Sequence, residues 1–158
     1  MRTSCRFAMA VHVLAVLAYK DGDRVTSALL ASSVNTNPVI IRRLLLDLKK
    51  ARLVETGKGA GSGSRLSRSA ARINLAQVYR AVEGSESFRS PARKPSAACP
   101  VGQCIRNSLN AVFASAQRAL ELDLERTTLA DIARAAEECA CKGVEGRRSR
   151  GGRRANAE

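Results

Sequence analysis

The chain has 158 residues and a net charge of +13, with 27 Lys/Arg against 14 Asp/Glu, and it contains no Trp, three Phe and two Tyr. That length carries one domain or a domain with an appendage, and its core must be aliphatic. A single His and the lack of a paired carboxylate cluster or triad-like grouping exclude the common hydrolytic sites, and no apolar run reaches the roughly 18–20 residues needed to span a bilayer.

The charge is unevenly placed. Residues 1–84 hold 14 basic and 5 acidic side chains, residues 85–142 hold 8 and 7, and residues 143–158 hold 5 and 2. An excess concentrated in the first half is the footprint expected for phosphate contacts. Residues 4–19 read as a first helix, with Phe7, Val11, Leu14 and Ala18 as its stripe and Ala10 and Leu17 alongside. The helical spacing and the absence of a clear cleavage motif favour a helix of the mature protein over a secretory signal. His12 lies in this helix with no ligand-type neighbour at metal spacing and is read as a packed, hydrogen-bonded residue.

Thr26 to Lys50 carries the strongest pattern. Thr26 and Ser27 are good N-caps for a short helix. Asn35-Thr36-Asn37 then breaks the apolar pattern, and Pro38 suits the first position of a second helix. Ile41, Leu44, Leu45 and Leu48 give that second helix one buried stripe and leave Arg42, Arg43 and Lys49 on another face. Two helices, a tight turn and a basic outer face form a helix-turn-helix pattern. An ordinary helical hairpin with a solvated basic side is the competing explanation.

After it, Leu53–Thr56 and Arg65–Ser67 read as two short strands around the Gly-rich GKGAGSGS. This is a hairpin wing with Lys58 and Arg65 near its tip. A phosphate loop for nucleotides is disfavoured, since the Gly-Lys-Ser/Thr ending is missing and no helix follows closely. Residues 73–82 form another helix, and residues 85–98 are a Ser/Pro-rich linker. From about Pro100 to Glu125, Ile105, Leu109, Val112 and Ala116 recur at four and three residues, broadened by Phe113 and Leu120. That stripe is wider than a lone surface helix needs and predicts a partner helix. Thr128-Leu129-Ala130-Asp131 opens a final helix to about Cys141, and residues 143–158 form a basic, disordered tail.

Five Cys without a small-domain disulfide framework point to reduced thiols and a cytoplasmic location. Cys99, before Pro100, should be the N-cap of the long helix, where free amides and the positive helix end favour a thiolate. That makes Cys99 a redox-sensing candidate, with Cys104 a turn further on. Five residues apart across a helix start, the two cannot join without fraying the first turn. A bond to a partner subunit, or to Cys139 or Cys141, stays open, as does a mixed metal site shared between subunits.

Several segments together resemble the Rrf-two family of bacterial transcriptional regulators. They are residues 4–14 (SCRFAMAVHVL), Val25-Thr26-Ser27, residues 37–45, Leu48 to Val54, the Gly-rich hairpin, Arg72 to Leu75, and Cys99-Pro100-Val101-Gly102. The resemblance implies a winged helix-turn-helix domain, a long dimerisation helix and a homodimer on palindromic double-stranded DNA. The family usually carries Gly where Arg52 stands, and an aromatic after two Gly where Ser62-Gly63-Ser64 stands. Cluster-sensing members carry three closely spaced Cys. Here only Cys99 and Cys104 lie in that region, so the sequence looks closer to the cluster-free branch with the CPVG motif. The combined expectation is a mainly α fold with a small β-hairpin wing. It comprises a DNA-binding domain at 1–84, a linker at 85–98, and a dimerisation helix and final helix at 99–142. Thr26, Ser27, Thr36, Asn37, Pro38, Val39, Arg42, Arg43, Lys49, Lys58 and Arg65 are the expected DNA contacts. Ile105, Leu109, Val112, Phe113, Ala116 and Leu120 are expected at the dimer interface. No resident cofactor or metal and no membrane partner is expected. The function expected is a homodimeric repressor, with structural or incidental thiols and thiol redox control as the competing readings of its cysteines; the alternatives are an iron–sulfur or metal-sensing regulator of the same family, or a non-specific nucleic-acid-binding protein.

Overall fold

The computed structural model describes residues 5–57, 59, 62–84, 96 and 98–151, with backbone alone for Gln103 and residues 142–151. The described chain runs α1 (Arg6–Tyr19), α2 (Ser27–Val34), α3 (Pro38–Lys50), β1 (Val54–Thr56), β2 (Ser64–Leu66), a 3-10 turn (Ala70–Arg72), α4 (Leu75–Glu83), α5 (Pro100–Glu125) and α6 (Leu129–Gly151). β1 and β2 pair antiparallel, with Glu55 opposite Arg65. Most of the predicted linker and Lys58 lie outside the described residues.

Local chemistry accounts for the helix ends. Thr26 accepts from the Leu29 amide and caps α2, while Asn37 accepts from the Val39 amide and caps α3, ahead of Pro38. α4 opens with a reciprocal capping box between Asn74 and Gln77. α2 and α3 close alike. Asn35 and Arg52 adopt left-handed conformations at φ 56° and 57°. The amides of Thr36 and Leu53 reach back to the carbonyls of Ala31 and Leu48.

One aliphatic core joins α1, α2, α3, β1 and α4, with Leu129 of α6 sealed into it. α3 buries the predicted four residues, Ile41, Leu44, Leu45 and Leu48. α1 departs from the predicted stripe. Ala10, Val13, Leu14 and Leu17 are its buried side, and Phe7, Val11 and Ala18 are half-buried at the edge. The reason is tertiary: α1 is wrapped by α2, α4, α6 and β2, so more than one stripe is covered and the deepest line is set by where the neighbours meet. Phe7 packs edge-to-face on Tyr79, ring centroids 5.7 Å apart, tying α1 to α4.

α6 holds a second departure. It continues as helix to Gly151, where the sequence suggests a disordered tail from Gly143. A helix already nucleated at Leu129 propagates one residue at a time at little cost, despite Gly143 and Gly146. Residues 152–158 lie outside the described residues.

α5 stands apart from the core. It is moored at its C-terminal end to α4, where the Arg80 guanidinium meets Glu121 at 2.6 Å and Glu125 at 2.7 Å. Hydrogen bonds from Gln117 and Arg80 hold the Glu121 carboxyl below its ordinary value of 4.5. The α5–α6 corner is pinned beside them, with the Leu129 amide donating to Ile73 O and the Leu75 amide to Thr127 O.

Candidate nucleic-acid interface

A wing is useful only if it is fixed relative to the recognition helix. Here the fixing is done by backbone. Val25, just before α2, and Ser64, at the start of β2, exchange two hydrogen bonds of 2.8 Å. Gly63 sits next to this bridge at φ +64°, and a Cβ there would meet the Arg24 carbonyl carbon at 2.9 Å. Only glycine permits both that conformation and that approach. The hairpin is therefore clamped to the N-terminal end of α2, and a cleft of about 650 Å³ opens between that end, the outer side of α3 and the hairpin. Thr26, Ser27, Arg42, Leu46 and Thr56 are among its lining residues.

The predicted DNA contacts fall into groups on this surface. Thr26, Ser27 and Arg42 come together at the α2 N-terminus. Arg42 Nε lies 3.4 Å from Ser27 Oγ, to which it donates. Both hydroxyls act there as acceptors, so their protons remain for an anionic oxygen beside the free amides of α2. Arg43 is exposed and forms no ion pair among the described residues. Val39 and Lys49 are exposed as well. Asn37 spends its carbonyl oxygen on the Val39 amide at 2.8 Å, which leaves its amide group to donate. Thr36 and Pro38 are half-buried in the turn.

Arg65 is placed differently from the free cation the sequence suggests. It is locked across the hairpin by Glu55, Nε at 3.1 Å and Nη2 at 2.9 Å from one carboxylate oxygen. Their opposed positions in the strand register make this pairing possible, and it lowers the charge the wing presents. Asp47 likewise binds Arg6 at 2.7 Å, joining the start of α1 to α3. Leu46 has no role in the sequence pattern, which leaves it off the buried stripe: it is 56% exposed on the outer face of α3. Three leucines in succession, Leu44 to Leu46, were the available signal, because a helix cannot turn three neighbours to one side.

On α5, the predicted interface residues Ile105, Leu109, Val112 and Leu120 are exposed, and Phe113 and Ala116 are half-buried. Cys99 caps α5 as expected, its Sγ accepting from the Gly102 amide at 3.3 Å. All five cysteines are exposed. His12 is exposed too, with Nε2 at 3.1 Å from Ser33 Oγ.

A family model described as Rrf2, iron-dependent transcriptional regulator, matches residues 3–135. The chain is 39% identical over 127 residues to YwnA of Bacillus subtilis strain 168, provisionally named an HTH-type transcriptional regulator, spanning 80% of this chain and 93% of that protein. A crystal structure provisionally described as a DNA-binding protein is 38% identical, covers 80% of this chain and 97% of its own, and matches with a TM-score of 0.65. A second, from Lactobacillus plantarum and provisionally described as a transcriptional regulator, is 25% identical, covers 92% and 98%, and matches with a TM-score of 0.72. Iron appears in the family description. Among the described residues, no three His, Cys, Asp or Glu side chains gather as a metal site, and the Cys99 sulfur faces a backbone amide. Among the described residues of one chain, the side chains do not gather the donor set an iron centre needs. Through a family match spanning most of its length and a helix-turn-helix with a clamped hairpin, this chain belongs to the Rrf2 family and is a DNA-binding transcriptional regulator of winged helix-turn-helix fold, not an enzyme.

Proposed function

We propose that the chain acts in the cytoplasm as a homodimeric, sequence-specific repressor, with α3 of each subunit in a major groove of a two-fold operator. The observation that carries this reading is the outer face of α3, where Arg43 stands exposed with no ion pair among the described residues and Arg42 and Leu46 line the cleft shared with the wing. Arg43, Val39, Thr36 and the Asn37 amide are the base-edge readers; Arg42, Lys49, Thr26 and Ser27 hold phosphate. Lys58 and Arg65 on the wing follow the neighbouring backbone, Arg65 exchanging Glu55 for phosphate. Dimer formation is supported by the exposed apolar side of α5, since a solvated helix gains nothing from Ile105, Leu109 and Val112 in one line.

Arg43→Ala should cost roughly 1–3 kcal/mol of operator binding and relax base preference at one position. Titration against specific and random duplexes at fixed salt checks it. Unchanged affinity and preference would remove α3 from the groove, and equal affinity for both duplexes in the unaltered protein would leave a non-specific binder.

Control by thiol chemistry rests on Cys99. The residue is exposed and its sulfur caps the helix assigned to dimerisation, so modifying it removes an acceptor from the first turn of α5. Alkylation of Cys99 in the native protein should outpace that of an unstructured peptide thiol. A rate equal to or below the peptide's rules the sensor role out.

A further inference from the structure

Leu44, Leu45 and Leu46 follow one another on α3, and the helix sends them to different fates. Leu44 and Leu45 are 2% and 4% exposed, and Leu46 is 56% exposed. Val39, Arg43, Leu46 and Lys50 recur at i, i+4, i+7 and i+11, the line directly opposite the buried Ile41, Leu44, Leu45 and Leu48. Leu46 therefore lies near the middle of the face that the proposed reading puts against the base pairs. Arg42 stands to one side of it, turned toward Ser27 and the phosphate position.

Exposed aliphatic side chains on this face need a chemical counterpart in the groove. The apolar group that a base pair offers in the major groove is the C5-methyl of thymine. We propose that Leu46 is a specificity-determining residue that reads a 5-methylpyrimidine in each half-site. Val39 and Leu46 bracket Arg43 along the helix, about 6 Å before it and 4.5 Å after it at 1.5 Å per residue. The half-site then carries a guanine, taken by Arg43, with a methyl-bearing pyrimidine within one or two base steps on the Leu46 side. Since leucine senses the methyl group and not the ring edge, 5-methylcytosine satisfies it as thymine does, and cytosine and uracil do not. Operator occupancy thereby becomes sensitive to cytosine methylation wherever a cytosine takes that position.

This rests on the placement of α3 in the major groove, and the test separates the two. The full-length protein is used to select duplexes from a random pool, and each thymine of the selected half-site is replaced in turn by deoxyuridine, which removes the methyl group alone. One replacement per half-site should weaken binding about fourfold, the worth of one buried methyl group, and the loss should vanish in Leu46→Ala. A cytosine at that position should bind poorly and recover on 5-methylation with the unaltered protein only. Circular dichroism of Leu46→Ala should match the parent, since the side chain is outside the core. The proposal is overturned if no thymine is selected in the half-site, if every deoxyuridine duplex binds as the parent does, or if Leu46→Ala loses as much affinity on replacement as the unaltered protein. Failure of the groove placement looks different: Arg43→Ala and Leu46→Ala would both keep full affinity and preference.

Discussion

Arg52 shows how one residue can be at odds with its backbone. It occupies the position just past α3 where the chain must turn left-handed for Leu53 N–H to reach Leu48 C=O, and its φ is 57°. The same place at the end of α2 is filled by Asn35, which tolerates that conformation. An arginine there clashes through its Cβ with the backbone, and Ser67 Oγ, donating to the Arg52 carbonyl, helps to hold it. This gives a physical meaning to the glycine the family usually carries at that point. Arg52→Gly should raise stability by about 1 kcal/mol, relief of the left-handed strain outweighing glycine's extra freedom in the unfolded chain. Urea unfolding midpoints, at unchanged slope, measure it.

At the scale of elements, the start of α6 is the joint between the arm and the core. Thr128 donates its amide to Asp131 at 3.0 Å and its hydroxyl at 2.6 Å, and accepts from the Asp131 amide at 3.2 Å. The hydroxyl, then the Thr128 amide, hold the Asp131 carboxyl below its ordinary 3.8, and Arg134 adds to this. A depressed carboxyl contributes stability that is fully present above its unfolded value and is lost as pH falls through the folded one. Asp131→Asn should therefore be less stable than the parent near pH 7, with the gap narrowing toward about pH 3. Denaturant melts of both proteins across that range check the sign; a gap that stays constant would mean that the charge of Asp131 contributes nothing.

The molecule as a whole is a packed head with an outlying helix. The buried apolar side chains of the helices come from α1, α2, α3, α4 and the first residue of α6, while Val112 on α5 is 61% exposed. The Arg80–Glu121–Glu125 cluster moors α5 to the head through exposed or half-exposed groups, which screening makes weak one by one. The head should therefore fold without the contacts proposed between α5 and a second copy. Val112→Asp should abolish the dimer and leave the circular dichroism spectrum unchanged. It should weaken operator binding at least tenfold, because one half-site then binds without its mate. Sedimentation velocity and duplex titration on the same sample measure both effects. A dimer that survives the aspartate would place the interface elsewhere.

Periodicity and capping by themselves determined the helix-turn-helix, the buried stripe of α3, the Cys99 cap and the full extent of α5, because each depends on residues within one or two turns. Residue composition located the hairpin, and hydrogen bonds spanning three residues located the start of α6. The rest was decided by tertiary contact. Which side of α1 lies deepest followed from the neighbours closing around it. Glu55 opposite Arg65 depended on strand register, so the charge of the wing could not be counted from its residues. Gly63 had to be glycine because Arg24, thirty-nine positions earlier, passes against it. Periodicity left Leu46 off the buried stripe, but only packing placed it beside Thr26, Ser27 and the hairpin. Burial is a property of what surrounds a side chain, and that is set by parts of the chain its own neighbours do not specify.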